Sequence, residues 1–306
     1  MNEASASTAR RLLHLEDVYK SYGDKLVLEN IDFAVRAGTL CSVVGPSGCG
    51  KSTLFRLVLG QEAADSGRLF VDGRPIDGPA QDRGIVYQRY SLYPHLTVIE
   101  NAMLGKTLPA GFGERRRRAK EWREEAMQYL ERAGLAAHAD KHPHELSGGM
   151  QQRVAIAQAL IKRPKILMMD EPFGALDPET RENMQVFLLE LWEEERMTIF
   201  FVTHDMEEAI YLGTRVVVLS QHYTDDRGHG PGVKRGARVV CDYELPSAVA
   251  STKVKRSPEF VALADEIRRI GFDPKVLQHV TEFNLRHPDS FQTLQPEEAR
   301  GPREAA

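Results

Sequence analysis

The chain has 306 residues, with 40 Lys or Arg against 44 Asp or Glu, so its formal net charge is −4. With 42% apolar and 27% charged residues, the composition is that of a globular protein and excludes the disordered and fibrous classes. The near-neutral charge argues against a dedicated nucleic-acid binder, and we expect no nucleic-acid partner. Three scattered cysteines predict no disulfide framework and suit a reducing cytosol.

Membrane-spanning and targeting segments are not expected in this sequence. The apolar runs are short and none approaches the roughly 18 residues that a membrane helix needs. Residues 1–11 are polar and small, without the apolar centre of a signal peptide, and predict a disordered N-terminus. We therefore expect a chain that does not itself enter a membrane.

The first part of the chain predicts strands around one glycine-rich loop. From Leu12 to Val35 a β-rich alternating pattern is interrupted at residues 21–25, which indicates two strands joined by a turn. A short apolar run from Thr39 to Val44 leads into the loop, and a helix follows from about Gly50 to Leu59. Further strands are predicted at the ranges Gly67–Val71 and Gly84–Tyr87.

The middle of the chain predicts helices and then a strand–helix alternation. Helices are expected at Thr97–Leu104, Glu114–Ala133 and Ser147–Ile161. Strands are then expected at Ile166–Met169, Thr198–Val202 and Arg215–Leu219, separated by helices at Pro178–Glu195 and Met206–Leu212. Because these strands are uniformly apolar, they predict a parallel sheet covered on both faces. The predicted fold class is α/β, with an α-helical insertion at about residues 89–163.

The C-terminal part, residues 221–306, forms an extension that carries no motif. A loop at residues 224–236, a strand at Arg238–Tyr243 and a helix at Pro258–Ile270 are predicted. The end of the chain from Pro288 is polar and is expected to fray. We expect the extension to pack on the core rather than contact a second copy, although both remain open.

A phosphate-binding loop is the first functional motif. Residues 45–52 read GPSGCGKS and fit G-x-x-x-x-G-K-[ST] between a predicted strand and a predicted helix. Backbone N–H groups would hold the β-phosphate, Lys51 would reach the β/γ-phosphates, and the Ser52 hydroxyl would bind Mg²⁺. The predicted nucleotide-binding residues here are Gly45, Pro46, Ser47, Gly48, Cys49, Gly50, Lys51, Ser52 and Thr53.

Cys49 of this loop carries a separate expectation about reactivity. It lies near a helix N-terminus and near Lys51, and both lower the pKa of a thiol. The sequence therefore predicts a reactive thiol whose alkylation blocks turnover and which ATP protects.

Two adjacent carboxylates form the second functional motif. Asp170 and Glu171 end the apolar strand that begins at Ile166. Alone they would be solvated acids, but the carboxyl end of a parallel strand lies beside the phosphate loop. We expect Asp170 to hold Mg²⁺ and Glu171 to polarise the attacking water or act as general base.

The string LSGGMQQR at residues 146–153 resembles the signature of the ABC-type ATPase family. Ser147 would cap a helix, and Gly148 and Gly149 would leave its first N–H groups open to an anion. One chain has no second phosphate for this surface, so it must serve a nucleotide held by another chain. The resemblance implies a P-loop fold of this family, with a mixed or parallel sheet, an antiparallel β subdomain and an inserted α-helical subdomain. It also implies a head-to-tail dimer around two ATP molecules.

The resemblance covers about residues 12–220 and assigns further roles one position at a time. It implies that Tyr22 stacks on adenine, although a core tyrosine remains open. It implies that Gln88 contacts Mg²⁺ and links the core to the helical insertion. Asp177 matches the loop that crosses the dimer interface, and His204 matches the histidine that hydrogen-bonds the γ-phosphate.

Three classes of this superfamily compete, and the spacing selects one. Lys51 and Ser147 are 96 residues apart, which leaves no room for the coiled coil of repair ATPases, and one cassette argues against the translation type. The remaining class is the ATP-binding subunit of a transporter. The amino-acid sequence around Asp170 and His204 is similar to that of importers of the nitrate, sulfonate and taurine group. Polyamine, lipid and non-transport systems remain alternatives.

The transporter class implies partners and a location. Besides a second copy of itself, we expect integral permease subunits and, indirectly, a periplasmic or lipid-anchored solute-binding protein. The protein would be peripheral, at the cytoplasmic face of the inner membrane. Residues 89–96 should form a groove for a helix of the permease, with Tyr90, Leu92 and Tyr93 either as anchors or in local core packing.

Overall fold

The computed structural model describes residues 11–88, 91–228, 233–245 and 252–298. In chain order the strands are β1 (Arg11–Tyr22), β2 (Lys25–Arg36), β3 (Leu40–Val44), β4 (Ser66–Val71), β5 (Arg74–Pro75), β6 (Arg83–Val86), β7 (Ile166–Asp170), β8 (Thr198–Val202), β9 (Arg215–Ser220), β10 (Tyr223–Thr224), β11 (Arg238–Glu244), β12 (Gln278–His279) and β13 (Asn284–Leu285). The α-helices are α1 (Lys51–Leu59), α2 (Val98–Thr107), α3 (Phe112–Arg132), α4 (Gly148–Leu160), α5 (Pro178–Glu195), α6 (Met206–Leu212) and α7 (Pro258–Phe272).

A seven-stranded sheet in the order β13-β11-β9-β3-β8-β7-β6 forms the centre of the fold. Strands β6, β7, β8, β3 and β9 run parallel, and β11 runs antiparallel to β9. Every residue of β3 and β8 is buried, as expected for central strands of a covered parallel sheet. The predicted α/β class is confirmed.

Two hydrophobic cores lie on the two faces of this sheet. In β8, Phe201 belongs to the core formed with α4, α5 and α6, whereas Phe200 belongs to the core formed with α1 and the first two strands. Successive side chains of a strand point to opposite faces, so both faces need apolar residues. This requirement explains why the strand has no polar alternation.

A second, antiparallel sheet in the order β2-β1-β4-β5 carries the first hairpin. Its two long strands agree with the two strands predicted between Leu12 and Val35. The turn at Gly23 and Asp24 pairs Tyr22 directly with Lys25 across the hairpin. The residues predicted to be disordered, 1–11, lie outside the described residues except for Arg11, which begins β1.

Helices α2, α3 and α4 follow β6 and precede β7 in the chain, and they pack against one another. Thr97 caps α2 and exchanges hydrogen bonds with Glu100, which fixes the start of that helix. Helix α3 consists mostly of charged and polar residues, and only its side chains Trp122, Ala126 and Leu130 are buried. That narrow stripe is sufficient to hold a long helix against its neighbours.

The C-terminal extension lies against the core rather than away from it. Strand β11 extends the central sheet, and the Ser220 hydroxyl donates to the Gly271 carbonyl oxygen of α7 at 2.7 Å. The expectation that the end of the chain frays from Pro288 is wrong for residues 288–298. Asp289 is 3% exposed and pairs with Arg36 at 2.7 Å, and Glu298 pairs with buried Arg238, also at 2.7 Å.

None of the helices in the described ranges combines the length and the apolar composition that crossing a bilayer requires.

Candidate active site

The phosphate loop connects β3 to α1 and has a backbone that only glycine permits. Gly50 precedes α1 with φ of 101°, in the left-handed region. A Cβ on Gly45 would lie 2.1 Å from the Leu219 carbonyl oxygen of β9. The loop is therefore held tightly against the sheet edge, with the N-terminus of α1 at its end.

Lys51 and its neighbours set the electrostatics of the loop. Lys51 is 7% exposed, and its Nζ donates to the carbonyl oxygens of Gly45 at 2.7 Å and Pro46 at 3.0 Å. Ser52 is exposed toward the cleft and Thr53 is buried. An ammonium group, a hydroxyl group and a helix N-terminus thus converge on one point, which suits a polyphosphate.

Asp170 and Glu171 lie where β7 ends, next to the phosphate loop. Glu171 has φ of 45°, a strained conformation for this residue, and its N–H donates to the Val202 carbonyl oxygen at 2.8 Å. Burial raises the pKa of the Asp170 carboxyl, as does the neighbouring Glu171, while Arg56 and Lys51 oppose the rise. A desolvated carboxylate beside a second carboxylate is an environment that a cation stabilises.

His204 completes this group from the end of the neighbouring strand β8. Its Nδ1 lies 3.2 Å from Oε1 of Glu171, and its side chain is 60% exposed. The preceding residue, Thr203, donates its N–H to the Val43 carbonyl oxygen at 3.2 Å, which fixes the loop beside β3. The structure therefore brings Lys51, Ser52, Glu171 and His204 together.

These residues line a cleft with a volume of about 550 Å³, a size that accommodates a small-molecule ligand. The lining residues are Tyr22, Lys25, Val27, Ser47, Gly48, Gly50, Lys51, Ser52, Thr53, Glu171 and His204. A larger cavity of about 660 Å³ is lined by Lys165 and Thr198. It lies near the starts of β7 and β8, the opposite edge of the sheet, and away from the phosphate loop.

Tyr22 stands at the mouth of this cleft and is 43% exposed, which contradicts its interpretation as a core tyrosine. Its hydroxyl donates to Glu62 and accepts from Nη2 of Arg56, the latter at 3.1 Å. Lys25 and Val27 also line the cleft, and the sequence did not predict them as site residues. The two-residue turn between Tyr22 and Lys25 was the available signal, because it pairs these residues across the hairpin.

Gln88 follows β6 and lies beside the loop after Glu171. A Cβ on Gly174 would come within 3.0 Å of Nε2 of Gln88. The oxygen-bearing side chains of Ser52, Gln88 and Asp170 are of the type that Mg²⁺ prefers. The chemistry of this donor set therefore fits a magnesium ion.

Cys49 differs from its sequence prediction. It is 3% exposed, and a Cβ on Gly45 would lie 2.8 Å from its Sγ, so the thiol lies behind the loop. Burial raises the pKa of the Cys49 thiol, and the opposing effect of Lys51 is smaller. The expectation of a lowered thiol pKa is wrong, because desolvation outweighs the nearby positive charge, whereas the effect of alkylation stays a prediction.

The signature residues and Asp177 lie outside the cleft. Ser147 caps α4 by accepting from the Met150 N–H at 3.4 Å, and Gly148 and Gly149 begin the helix. Asp177 caps α5 by accepting from the Thr180 N–H at 3.0 Å. Within this chain, therefore, these groups do not meet the phosphate loop.

The segment after Gln88 is described from residue 91 onward, so Tyr90 lies outside the described residues. Leu92 packs partly buried against the main hydrophobic core, in agreement with local packing. Tyr93 is 43% exposed, and Asn101 fixes its backbone through a hydrogen bond of 2.7 Å. Of the two described candidates, only Tyr93 presents a large exposed surface.

Comparisons with known proteins agree with this geometry. Residues 28–174 match the family model described as ABC transporter. The chain is 42% identical over 248 residues to the nitrate import ATP-binding protein NrtD of Synechocystis sp., covering 80% of this chain and 88% of that protein. It is 41% identical over 249 residues to the taurine import ATP-binding protein TauB of Rhizobium johnstonii, covering 79% and 88%.

Solved structures give the same fold. One is a dimeric post-hydrolysis state of the ATP-binding cassette MJ0796 bound to ADP and Pi, with 32% identity and a TM-score of 0.59, covering 77% of this chain and 99% of that one. Another is CbiO1 of Clostridium perfringens, part of the ABC transporter complex CbiONQ. It has 26% identity and a TM-score of 0.65, covering 85% and 95%.

Proposed function

This chain belongs to the ABC transporter family as an ATP-binding, ATP-hydrolysing subunit, and we propose that it drives import of a nitrate-, sulfonate- or taurine-type solute. This cargo class is supported by the sequence identity of 42% to the nitrate import protein and of 41% to the taurine import protein. Polyamine and lipid cargoes are the alternatives.

ATP would lie in the cleft between Tyr22 and Glu171. The adenine ring would stack on Tyr22, and the phosphates would be held by the loop N–H groups and by the Lys51 ammonium. The convergence of Lys51, Ser52, Glu171 and His204 on one cleft is the observation that carries this proposal.

Magnesium would be held by Ser52, Asp170 and Gln88. When bound, the ion neutralises charge on the phosphate oxygens. The raised pKa of Asp170 supports this assignment, since a cation would compensate its desolvation and its repulsion by Glu171.

Hydrolysis would depend on Glu171 and His204. Glu171 would orient the attacking water and accept its proton, while His204 would donate a hydrogen bond to the γ-phosphate. Their contact of 3.2 Å keeps the two side chains within reach of one reacting group. The left-handed backbone at Glu171 is consistent with a side chain held for function at an energetic cost.

A second copy of the chain would complete each site. Ser147, Gly148, Gly149 and Asp177 of that copy would face the nucleotide, because in this chain they lie outside the cleft. The dimeric MJ0796 cassette supports such an arrangement. The pair would close on two ATP molecules and reopen after hydrolysis, which is a ligand-driven population shift.

The remaining partners would lie in and beyond the membrane. Tyr93 and its neighbours would receive a permease helix, and the solute-binding protein would act through the permease. The protein would then be peripheral, at the cytoplasmic face of the membrane.

Reconstitution tests the cargo class. The subunit would be assembled with its cognate permease and solute-binding protein in liposomes, and ATP hydrolysis measured with nitrate, taurine, an alkanesulfonate, spermidine or lipid as the only added solute. We expect stimulation by one of the first three. Stimulation by spermidine or lipid alone would reassign the cargo, and the absence of ATP hydrolysis under all conditions would overturn the function itself.

A further inference from the structure

Beneath the loop that carries His204 lies a buried carboxylate, Glu208, which is 4% exposed. Its Oε2 accepts a hydrogen bond from the Thr203 hydroxyl at 2.6 Å, and its Oε1 accepts one from Nε2 of Gln185 at 3.0 Å. Both carboxylate oxygens are thus used. Burial raises the pKa of the Glu208 carboxyl, and these two hydrogen bonds oppose that rise.

The hydrogen bonds continue from Gln185 to the C-terminal extension. Gln185 in α5 is 1% exposed, and its Oε1 accepts from Nζ of Lys255 at 2.9 Å. A lysine only donates, and the Glu208 carboxyl oxygen accepts here, so the Gln185 amide between them has one orientation that satisfies both. Lys255 also lies 4.5 Å above the Tyr211 ring of α6.

At its other end this chain of bonds fixes both neighbours of His204. The Thr203 hydroxyl accepts the Asp205 N–H at 3.0 Å, and Asp205 in turn accepts the Glu208 N–H at 3.1 Å. A small cavity of about 60 Å³ lies here and is lined by Glu171, His204 and Glu208, among others. The His204 loop is therefore supported from below by groups that do not line the nucleotide cleft.

Stability of the helix alone does not require this arrangement. Asp205 already caps the short helix α6, and a buried carboxylate is costly unless it is hydrogen-bonded. An apolar residue at position 208 would avoid that cost. Glu208 instead orients the Thr203 hydroxyl and is connected through Gln185 to Lys255 of the extension.

We propose that Glu208 is a positioning residue for His204, and that Lys255 of the extension controls through Gln185 how firmly the His204 loop is held. The inference rests on the proposed role of His204 in hydrolysis. The extension acts in this way on turnover, not on nucleotide affinity, because none of these groups lines the nucleotide cleft except His204 itself.

The test uses the full chain with ATP and Mg²⁺ and separates kcat from KM. Lys255→Met keeps the length of the side chain and its packing on Tyr211 but removes the donor, and we expect kcat to fall about three- to tenfold with KM unchanged. Lys255→Arg keeps a donor and should recover most of kcat. Arg256→Met, an exposed neighbour in the same turn, is the matched control and should show the parental kcat.

A second comparison separates positioning from a merely structural role. In a His204→Ala background, Glu208→Gln and Lys255→Met should lower kcat no further, because the loop they orient has lost its functional group. An equal loss in both backgrounds would make these residues structural and overturn the proposal. If Glu208→Gln fails to fold, as circular dichroism would show, Lys255→Met carries the same comparison.

The outcomes also distinguish the inference from the proposed function. Parental kcat in Lys255→Met together with low kcat in His204→Ala would overturn only the link to the extension. Parental kcat in His204→Ala would remove the proposed role of His204, and this inference with it.

Discussion

The cleft at the phosphate loop and the surface at the start of α4 both present helix N-termini, but they differ in shape. In the cleft, a lysine, a hydroxyl, a carboxylate and a histidine face one volume of about 550 Å³. At α4, Ser147 is exposed and its hydroxyl only caps its own helix. The side chains of the first region face a common cleft, whereas Ser147 in the second faces outward.

This difference is the one expected if catalysis is divided between two copies, as proposed above. A helix N-terminus with two glycines attracts an anion, yet Lys51 and Ser52 line the cleft, and Ser147 does not. A phosphate that reaches Ser147 would therefore be one already bound in another cleft. The predictions below test this division, beginning with the largest effect.

Removing the proposed base should separate binding from hydrolysis. Glu171→Gln keeps the size of the side chain but loses the proton acceptor, so kcat should fall by about 10²–10⁴-fold while ATP still binds. Gel filtration with ATP and Mg²⁺ should show a stable dimer. Glu190→Gln, an exposed residue on α5, is the control. A Glu171→Gln protein that hydrolyses ATP at the parental rate would contradict the assigned role.

Mixing two inactive variants tests whether the sites are shared. Lys51→Ala should weaken the binding or turnover of ATP by about 2–5 kcal/mol, because a phosphate charge loses its partner. Ser147→Arg should block the surface that faces the partner's nucleotide. In a head-to-tail dimer the mixture forms one intact site per mixed pair, so about a quarter of the parental sites should return. Hydrolysis that stays absent at all mixing ratios would favour sites made within one chain.

Tyr22 tests the contribution of the cleft mouth. Tyr22→Ala removes the stacking surface, and the KM for ATP should rise about two- to tenfold, which corresponds to about 0.5–1.5 kcal/mol. Tyr22→Phe keeps the ring but loses the bonds to Arg56 and Glu62, so its KM should stay near the parental value. A larger effect in the Phe variant would assign the role to the hydroxyl rather than to the ring.

The smallest effect is expected at Cys49. Because burial raises the pKa of this thiol, N-ethylmaleimide should label it slowly at neutral pH, and labelling should accelerate as the pH rises above the ordinary thiol range. Mass spectrometry of native and urea-unfolded protein gives the comparison. Rapid native labelling at pH 7 that ATP prevents would restore the original interpretation of a reactive loop cysteine.

Much of the fold could be predicted because its elements follow local rules. The bounds of α5, β8 and α6 agree with the sequence prediction residue for residue, since apolar runs and cap residues such as Asp177 and Asp205 define them. Helix α3 begins at Phe112, two residues before its predicted start. The chain end was misjudged because Asp289 and Glu298 look like solvated charges, while their partners Arg36 and Arg238 lie far away in sequence.

The candidate site was predictable where a contiguous motif defines it, and less so where tertiary packing does. The loop from Gly45 to Ser52 lies at the sheet edge as its pattern predicts. The pKa of Cys49 depends on burial behind Gly45, which no local pattern encodes. Lys25 required the register of the hairpin, and Glu208 required the spatial meeting of α5, α6 and the extension.

The close packing of α4 on α5 has a mechanical consequence. A Cβ on Gly149 would lie 2.5 Å from Cγ2 of Thr180, the residue whose N–H is capped by Asp177. The two surfaces that a neighbouring nucleotide would meet are therefore joined by the direct packing of α4 on α5. We expect movement of Ser147 at the start of α4 to be resisted by this contact with α5, so the positions of Ser147 and Asp177 toward a partner's nucleotide are coupled.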